Sequence, residues 1–293
     1  VKPKPGAICV VFNPAAKGEK ALRVRDRIHA LSPHAVVRET QNAGDAERFA
    51  SRAMRDGYET VVAAGGDGTV NGVVNGIAGS DVRIGILPVG TMNLFAAELG
   101  IPPKLEDAWR VIEGGQERAI DLPMAGDHYF VQMAGLGLDA QVVKETDPGL
   151  RKNFGPLSYV VSLAQIASRQ PPVIRIRTDE GAAREGAFVL IGNGRFYGAP
   201  LPIFRNALPD DGLLDVLIFR EFGHFEILRY LQGVVFGTHL DMPDVEYFQC
   251  RSLVAESATE VPVEADGELI GELPMEFAMA EARLRVLVPA PAS

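Results

Sequence analysis

An apolar run, Thr60 to Ala64, leads without a break into Gly65-Gly66-Asp67-Gly68-Thr69, and behind it Val70, Val73, Val74 and Ile77 recur at helical spacing. Buried strand, glycine turn and helix in that order call for an α/β layer, since both elements must bury an apolar face. Gly65, Gly66 and Gly68 leave the backbone bare enough for a polyphosphate to approach. A helix beginning at Val70 would aim its free N–H groups and positive dipole end at that anion. Asp67 is itself negative, so its presence implies an accompanying metal ion or a proton to accept. The bland reading of the same residues is a strand-to-helix turn capped by Thr69, and the strand before and helix after weigh against it. No Gly-Lys-Ser/Thr follows, which excludes the P-loop NTPase motif.

The surrounding pattern extends the same architecture. From Ala7 to about Leu122, strands are expected at Ala7–Phe12, Ala35–Thr40, Thr60–Ala64 and Arg83–Pro88, with amphipathic helices between them. This predicts a three-layer α/β nucleotide-binding domain over 1–122, with a mainly parallel sheet. Asp45 is expected to cap a helix, and Pro102-Pro103 to end the short helix that begins near Asn93. The loops at 13–18, 65–71 and 87–93 all follow strand ends and so gather at the carboxyl edge of the sheet, where open α/β folds bind ligands. Asn13, Thr40 and Thr91 are short polar groups suited there to phosphate or ribose contact, although such residues also serve as caps and turns.

Beyond Asp121 the texture changes to strands at Tyr129–Ala134, Val173–Thr178, Ala187–Gly192 and Leu214–Phe219, with shorter ones to Val288. Helices are expected around Leu157–Ser168 and Phe225–Gly233. This predicts a β-rich, sandwich-like second domain over 123–293, with the last strand, 284–288, a candidate to return to the first domain.

A net charge of −9 argues against nucleic acid as a partner and against a broad basic face for anionic membrane. Cys9 and Cys250 are the only cysteines, and the five histidines have no metal-binding spacing, so neither a disulfide framework nor a zinc site is indicated. No signal segment and no apolar run of spanning length is present, and a cytoplasmic protein is expected, with any membrane contact peripheral at the inner face. A homodimer is left open.

Three further constellations carry both structural and chemical readings. Gly135-Leu136-Gly137-Leu138-Asp139-Ala140 matches a dinucleotide fingerprint, but no acidic residue ends a strand about twenty positions later, and a structural turn is expected. Leu208-Pro209-Asp210-Asp211-Gly212-Leu213 reads as a turn entering a strand, or as a hard-cation site. Asp266-Gly267-Glu268 reads as a hairpin turn between acidic strands.

Taken together these motifs resemble the diacylglycerol kinase catalytic family, lipid kinases that include the sphingosine and ceramide kinases. Asn13-Pro14-Ala15-Ala16-Lys17-Gly18 is similar to its first nucleotide loop, Gly65 to Thr69 to its signature, and Leu87-Pro88-Val89-Gly90-Thr91-Met92-Asn93 to its third loop. The acidic motifs at 210–214 and 266–268 follow in the expected order. The resemblance implies an ATP-dependent lipid kinase that transfers a phosphoryl group to a lipid alcohol. ATP would be held by Asn13, Thr40, Gly65, Gly66, Asp67, Gly68, Thr69, Val70, Asn71 and Thr91. It implies a structural Mg²⁺ on Asp211 and the carbonyls of Leu208 and Leu213, and a base at Glu268 at the domain cleft with Asp266 as its acidic partner. Within the family Asp67 has also been assigned the base role, so the two compete. Two departures stand out: Asn71-Gly72 replaces the usual Asn-Glu, and Tyr197-Gly198-Ala199-Pro200 replaces a glycine run. Rival readings are a kinase for a soluble acceptor, like NAD kinases and phosphofructokinases, and a lipid-binding protein without turnover.

Overall fold

The computed structural model describes residues 6–16, 21–145 and 171–290. The helix expected around Leu157–Ser168, together with Lys17 and Gly18 of the first loop, lies outside them. Contacts divide the chain into two compact units, one of Val1–Leu122, Gly198–Pro200 and Ala280–Ser293, the other of Pro123–Tyr197 and Leu201–Met279.

The first unit is built on a six-stranded sheet in the order Val36–Glu39, Ile8–Phe12, Thr60–Gly65, Arg83–Pro88, Leu284–Val288, Gln116–Ile120. Its first four strands are parallel. The chain first steps one way, from Ile8–Phe12 to Val36–Glu39, and then back the other way. Right-handed crossovers therefore put the helix Ala21–Leu31 on one face and Asp45–Asp56 and Asp67–Ile77 on the other, giving three layers. The strand Leu284–Val288 pairs parallel with Arg83–Pro88 and antiparallel with Gln116–Ile120. Arg285 clasps Glu117 and Arg283 clasps the buried Asp121, fastening that return.

Three local expectations are corrected here. The helix after the glycine loop begins at Asp67, not Val70, because extended Gly66 is its N-cap and its carbonyl already accepts from Thr69 and Val70. Asp45 is the first helical residue after a left-handed Gly44, and its carboxylate accepts from the amides of Gln41 and Asn42 at 2.9 and 3.0 Å, bracing the preceding loop. Glycine, not proline, closes the helix Leu94–Glu98: Gly100 at φ 68° turns the chain before Pro102 is reached.

The second unit pairs two six-stranded antiparallel sheets. One runs Ala183–Gly186, Ile174–Thr178, Ser252–Ser257, Met275–Met279, Pro123–Ala125, His128–Tyr129, and the other Val245–Cys250, Leu214–Phe219, Phe188–Gly192, Met133–Leu136, Pro262–Ala265, Glu268–Glu272. Val189, Ile191, Val216 and Ile218 enter the core with Ile176, Leu253 and Phe277, whereas Phe188, Leu190, Leu217 and Phe219 join a second cluster with Ile227 and Tyr230 of the helix His224–Phe236. Burial on both faces is why these two strands read as unbroken apolar runs instead of alternating ones. The expected strand Tyr129–Ala134 is interrupted: His128–Tyr129 and Met133–Leu136 belong to different sheets, and the amides of Val131, Gln132 and Met133 bond to Asp266.

Candidate functional site

In the first unit the three predicted loops emerge at the carboxyl ends of adjacent parallel strands and are tied to one another. Asn13 donates from its main chain to Ala64 O at 2.9 Å and from Nδ2 to Thr69 Oγ1 at 3.2 Å, while its Oδ1 accepts from Ala15. Gly65 O accepts from both Val89 and Gly90. A Cβ on Gly90 would fall 2.3 Å from Gly66 Cα, and one on Gly65 would fall 2.1 Å from Thr69 Oγ1. Glycine is therefore required at 65 and 90 for the loops to close on each other and on the helix, beyond any need of a ligand. Asn93, at φ 50°, grips the Gly90 peptide with both ends of its amide.

Asp67 is half-buried, and its Oδ1 accepts from the Phe95 amide at 3.2 Å. Burial pushes its carboxyl above the usual range, while the amides of Phe95, Leu94, Asp67 itself and Asn93 pull it back. Asp67 thus caps the helix Leu94–Glu98 from 28 residues away, a task sequence reading did not foresee. Of the residues expected to hold nucleotide, Gly68 and Thr91 are exposed, and Asn13, Gly66 and Asp67 are half-buried. Thr40, Gly65, Thr69, Val70 and Asn71 are interior. Asn71 Oδ1 accepts from Asn75 Nδ2 at 2.7 Å. Gly72 has its own reason: a Cβ there would lie 2.9 Å from Ala46 Cβ, and one on Gly76 would lie 2.4 Å from Glu47 O. The helices Asp45–Asp56 and Asp67–Ile77 cross through these small residues, and a glutamate at 72 would force them apart.

In the second unit Asp266 and Gly267, at φ 48° and 87°, form the two-residue turn that Asp-Gly favours between Pro262–Ala265 and Glu268–Glu272. The Asp266 carboxylate accepts from three successive amides, Val131 at 2.8 Å, Gln132 at 2.9 Å and Met133 at 3.1 Å. Glu264, buried, accepts from Gly267 at 2.7 Å and braces the turn from beneath. Glu268 is exposed at its end. Gly137, in the dinucleotide-like segment, holds φ 84° between strand and helix, a conformation that by itself accounts for glycine.

At the acidic motif 210–214 Gly212, at φ 78°, turns the chain, and Asp211 Oδ1 accepts from Leu213 at 3.0 Å. Sequence reading missed Asp215, which sits inside an apolar strand. It is fully buried, shares the Gln249 amide with Asp211 at 3.3 and 3.4 Å, and accepts from the Tyr247 hydroxyl. Burial above all lifts its carboxyl to about 6, the Tyr247 hydroxyl opposing and the Asp211 charge adding to the rise. Its Oδ2 has no hydrogen-bond partner among the described residues. An orphaned buried carboxylate oxygen that shares an amide with a second carboxylate is the kind of oxygen donor a hard cation takes. Among the described residues no group of three or more His, Cys, Asp or Glu is placed to hold a metal.

Residues 7–125 match the model of the diacylglycerol kinase catalytic domain, and residues 132–288 that of the YegS C-terminal NAD kinase beta sandwich-like domain. The chain belongs to the diacylglycerol kinase family of YegS type. Among its relatives, "Probable lipid kinase YegS-like" of Chromohalobacter salexigens is 35% identical over 83% of this chain and 80% of that protein. A diacylglycerol kinase of Staphylococcus saprophyticus is 31% identical over 85% of this chain and 83% of its own length. The crystal structure of a diacylglycerol kinase from Bacillus anthracis str. Sterne superposes with a TM-score of 0.79 at 21% identity, covering 99% of both chains, and shares the fold. Membership makes this kinase a phosphotransferase that uses ATP with a divalent metal. Among the described residues no helix is long and apolar enough to cross a membrane.

Proposed function

We propose that this kinase transfers the γ-phosphoryl group of ATP to the hydroxyl of a diacylglycerol-like lipid alcohol. The observation that supports this most is the presence in one chain of the interlocked glycine loops and the Asp-Gly-Glu turn, in a family whose relatives are named for diacylglycerol. The accessible backbone at Gly66 and Gly68, with Thr91 beside it, would take the phosphates. Glu268 accepts the hydroxyl proton as the lipid oxygen bonds to phosphorus and the bond to ADP breaks. Asp266 holds the turn that presents Glu268. A divalent ion travelling with ATP would neutralise charge on the phosphoryl oxygens. Transfer of label from γ-labelled ATP into a total lipid extract, run beside a pool of soluble metabolites, tests the reading. Label is expected in the lipid fraction, and label confined to the soluble pool rejects it.

We further assign Mg²⁺ to Asp211 and the carbonyls of Leu208 and Leu213, where its chemistry would be structural, pinning the turn that feeds the strand Leu214–Phe219. Mg²⁺ at one hundred times its dissociation constant should then stabilise the fold by about 2.7 kcal/mol. Thermal melting with Mg²⁺ and with chelator is expected to show that gain in the wild type and to lose it in Asp211→Ala. Melting indifferent to Mg²⁺ in both proteins removes the assignment.

A further inference from the structure

Gln132 stands between the two segments that meet at the acidic turn. Its main-chain amide donates to Asp266 Oδ1 at 2.9 Å, and its carbonyl accepts from Asn193 at 2.8 Å and from Gly194 at 3.2 Å. Asn193, itself fully buried, adds a tie to the residue before, its Nδ2 donating to Val131 O at 3.3 Å. Both main-chain groups of Gln132 are therefore bonded. Its side chain is not: Gln132 is 4% exposed, and neither Oε1 nor Nε2 has a hydrogen-bond partner among the described residues. Among those residues it is the one side chain with two polar atoms so placed. The fold nevertheless keeps a place for it. A Cβ on Gly194 would fall 1.9 Å from Gln132 Oε1, and Gly194 holds no positive φ that would by itself ask for glycine. The carboxamide thus lies against bare backbone. With two donors and two lone pairs unmet and away from water, it is worse for folding than an apolar side chain of the same shape, so stability gives no reason for glutamine at 132.

We propose that the Gln132 carboxamide binds the acceptor, taking an uncharged oxygen of its polar end, a hydroxyl or an ester carbonyl, when that end displaces the Gly194 backbone covering it. This rests on the lipid-alcohol reading above and names a residue that would recognise the glycerol end. Place and charge both favour it. Asp266, which bonds the Gln132 amide, also holds the turn that presents Glu268, so the carboxamide belongs to the end of the sheet to which the acceptor is brought. Arg195, next in the chain after Gly194, is exposed, so the cover lies at the surface. Asp266 and the buried Glu264 put two carboxylates at that turn, which disfavours an anionic partner. An amide that both donates and accepts is matched to a neutral oxygen, and a site built to bond such an oxygen discriminates strongly against a ligand that lacks it.

Gln132→Met tests the assignment, because methionine keeps the length and flexibility of the side chain without its amide. If the amide only fills space, its loss leaves the kinetics alone. The proposal expects a melting temperature equal to or above that of wild type together with a KM for dihexanoylglycerol raised ~10-fold, the KM for ATP and kcat staying within about twofold. An unchanged acceptor KM overturns it. So does a melting temperature several degrees lower, which would give the amide a partner within the fold. Gly194→Ala provides a second reading with Gln132 intact, since its methyl claims the position of Oε1 and should raise the same KM; a normal acceptor KM in that variant also overturns the proposal. The diether analogue of the acceptor identifies the oxygen. A difference between wild type and Gln132→Met that vanishes with the diether assigns the ester carbonyl, and one that persists assigns the hydroxyl. Calorimetric binding of dihexanoylglycerol without ATP separates the contact from the reading beneath it. Weaker binding by Gln132→Met, in a pair of proteins that phosphorylate no lipid, keeps the contact and removes the lipid-kinase reading, whereas equal binding in a pair that phosphorylates it removes the contact alone.

Discussion

Glu268→Gln is expected to bind ATP as the wild type does and to lose phosphoryl transfer by ~100-fold or more, the usual worth of a positioned base. Asp67→Asn is expected to lose transfer by a similar factor and stability with it. The contrast follows from what each carboxylate already does. Glu268 is exposed at the end of a hairpin turn, so an amide there leaves no cavity and unpacks nothing. Asp67 spends its charge on the amides at the start of Leu94–Glu98, and a residue capping backbone N–H groups is poorly free to collect a proton from an acceptor. An asparagine turned to keep the cap can still accept through its amide oxygen but lacks the charge that complements the helix's positive end, at a cost of up to about 1 kcal/mol. That corresponds to a fall of roughly 2–4 °C in melting temperature for a domain of this size. Single-turnover rates, ATP affinity and melting curves of both variants decide the matter. A Glu268→Gln enzyme with an unchanged chemical step moves the base to Asp67, and an Asp67→Asn enzyme that melts and turns over normally reduces the glycine loop to a connection.

How far such roles could be read in advance depended on the sequence distance over which each is played. The strand Thr60–Gly65, the helix behind it and the strand Leu214–Phe219 declare themselves through periodicity and burial within a few residues, and the Asp-Gly hairpin does so through the positive φ its turn demands. The ties that give the loops their shape are long-range and leave no local mark. Asp67 serves a helix 28 residues on, and Asn13 meets Thr69 across 56 positions. Asp215 is one polar residue inside an apolar strand, and only the pairing of that strand with Val245–Cys250 brings Tyr247 and Gln249 to it. Gly72 looked like a lost acidic group until its contact with Ala46 showed it to be a helix crossing. The stretch Tyr129–Ala134 read as one strand because its composition is apolar, whereas its amides are claimed by a carboxylate 133 to 135 residues later.

That carboxylate should make Asp266→Ala the most destabilising single change at the proposed site. Val131, Gln132 and Met133 are 2, 4 and 2% exposed, so water cannot readily replace Asp266 as acceptor for their amides. Each buried donor left unsatisfied costs about 1–3 kcal/mol, and three of them cost at least ~3 kcal/mol. Total stability is about 5–15 kcal/mol, so the loss is a large share of what holds the unit folded. Alanine is also strained at φ 48°, which would confuse the result, and Asp266→Gly separates the two effects because glycine accepts that conformation freely. Both variants are expected to melt far below wild type, the glycine variant recovering only the turn's share of about 1–2 kcal/mol. Asp266→Asn should fall between, since one amide oxygen can still accept while its NH₂ group faces donors. Activity should fall in the same order as melting temperature, because the turn that presents Glu268 is positioned by these three bonds. An Asp266→Gly protein that melts within a degree or so of wild type would show that the turn stands without its carboxylate, and the rank order of activities would then have to come from chemistry at Asp266 itself.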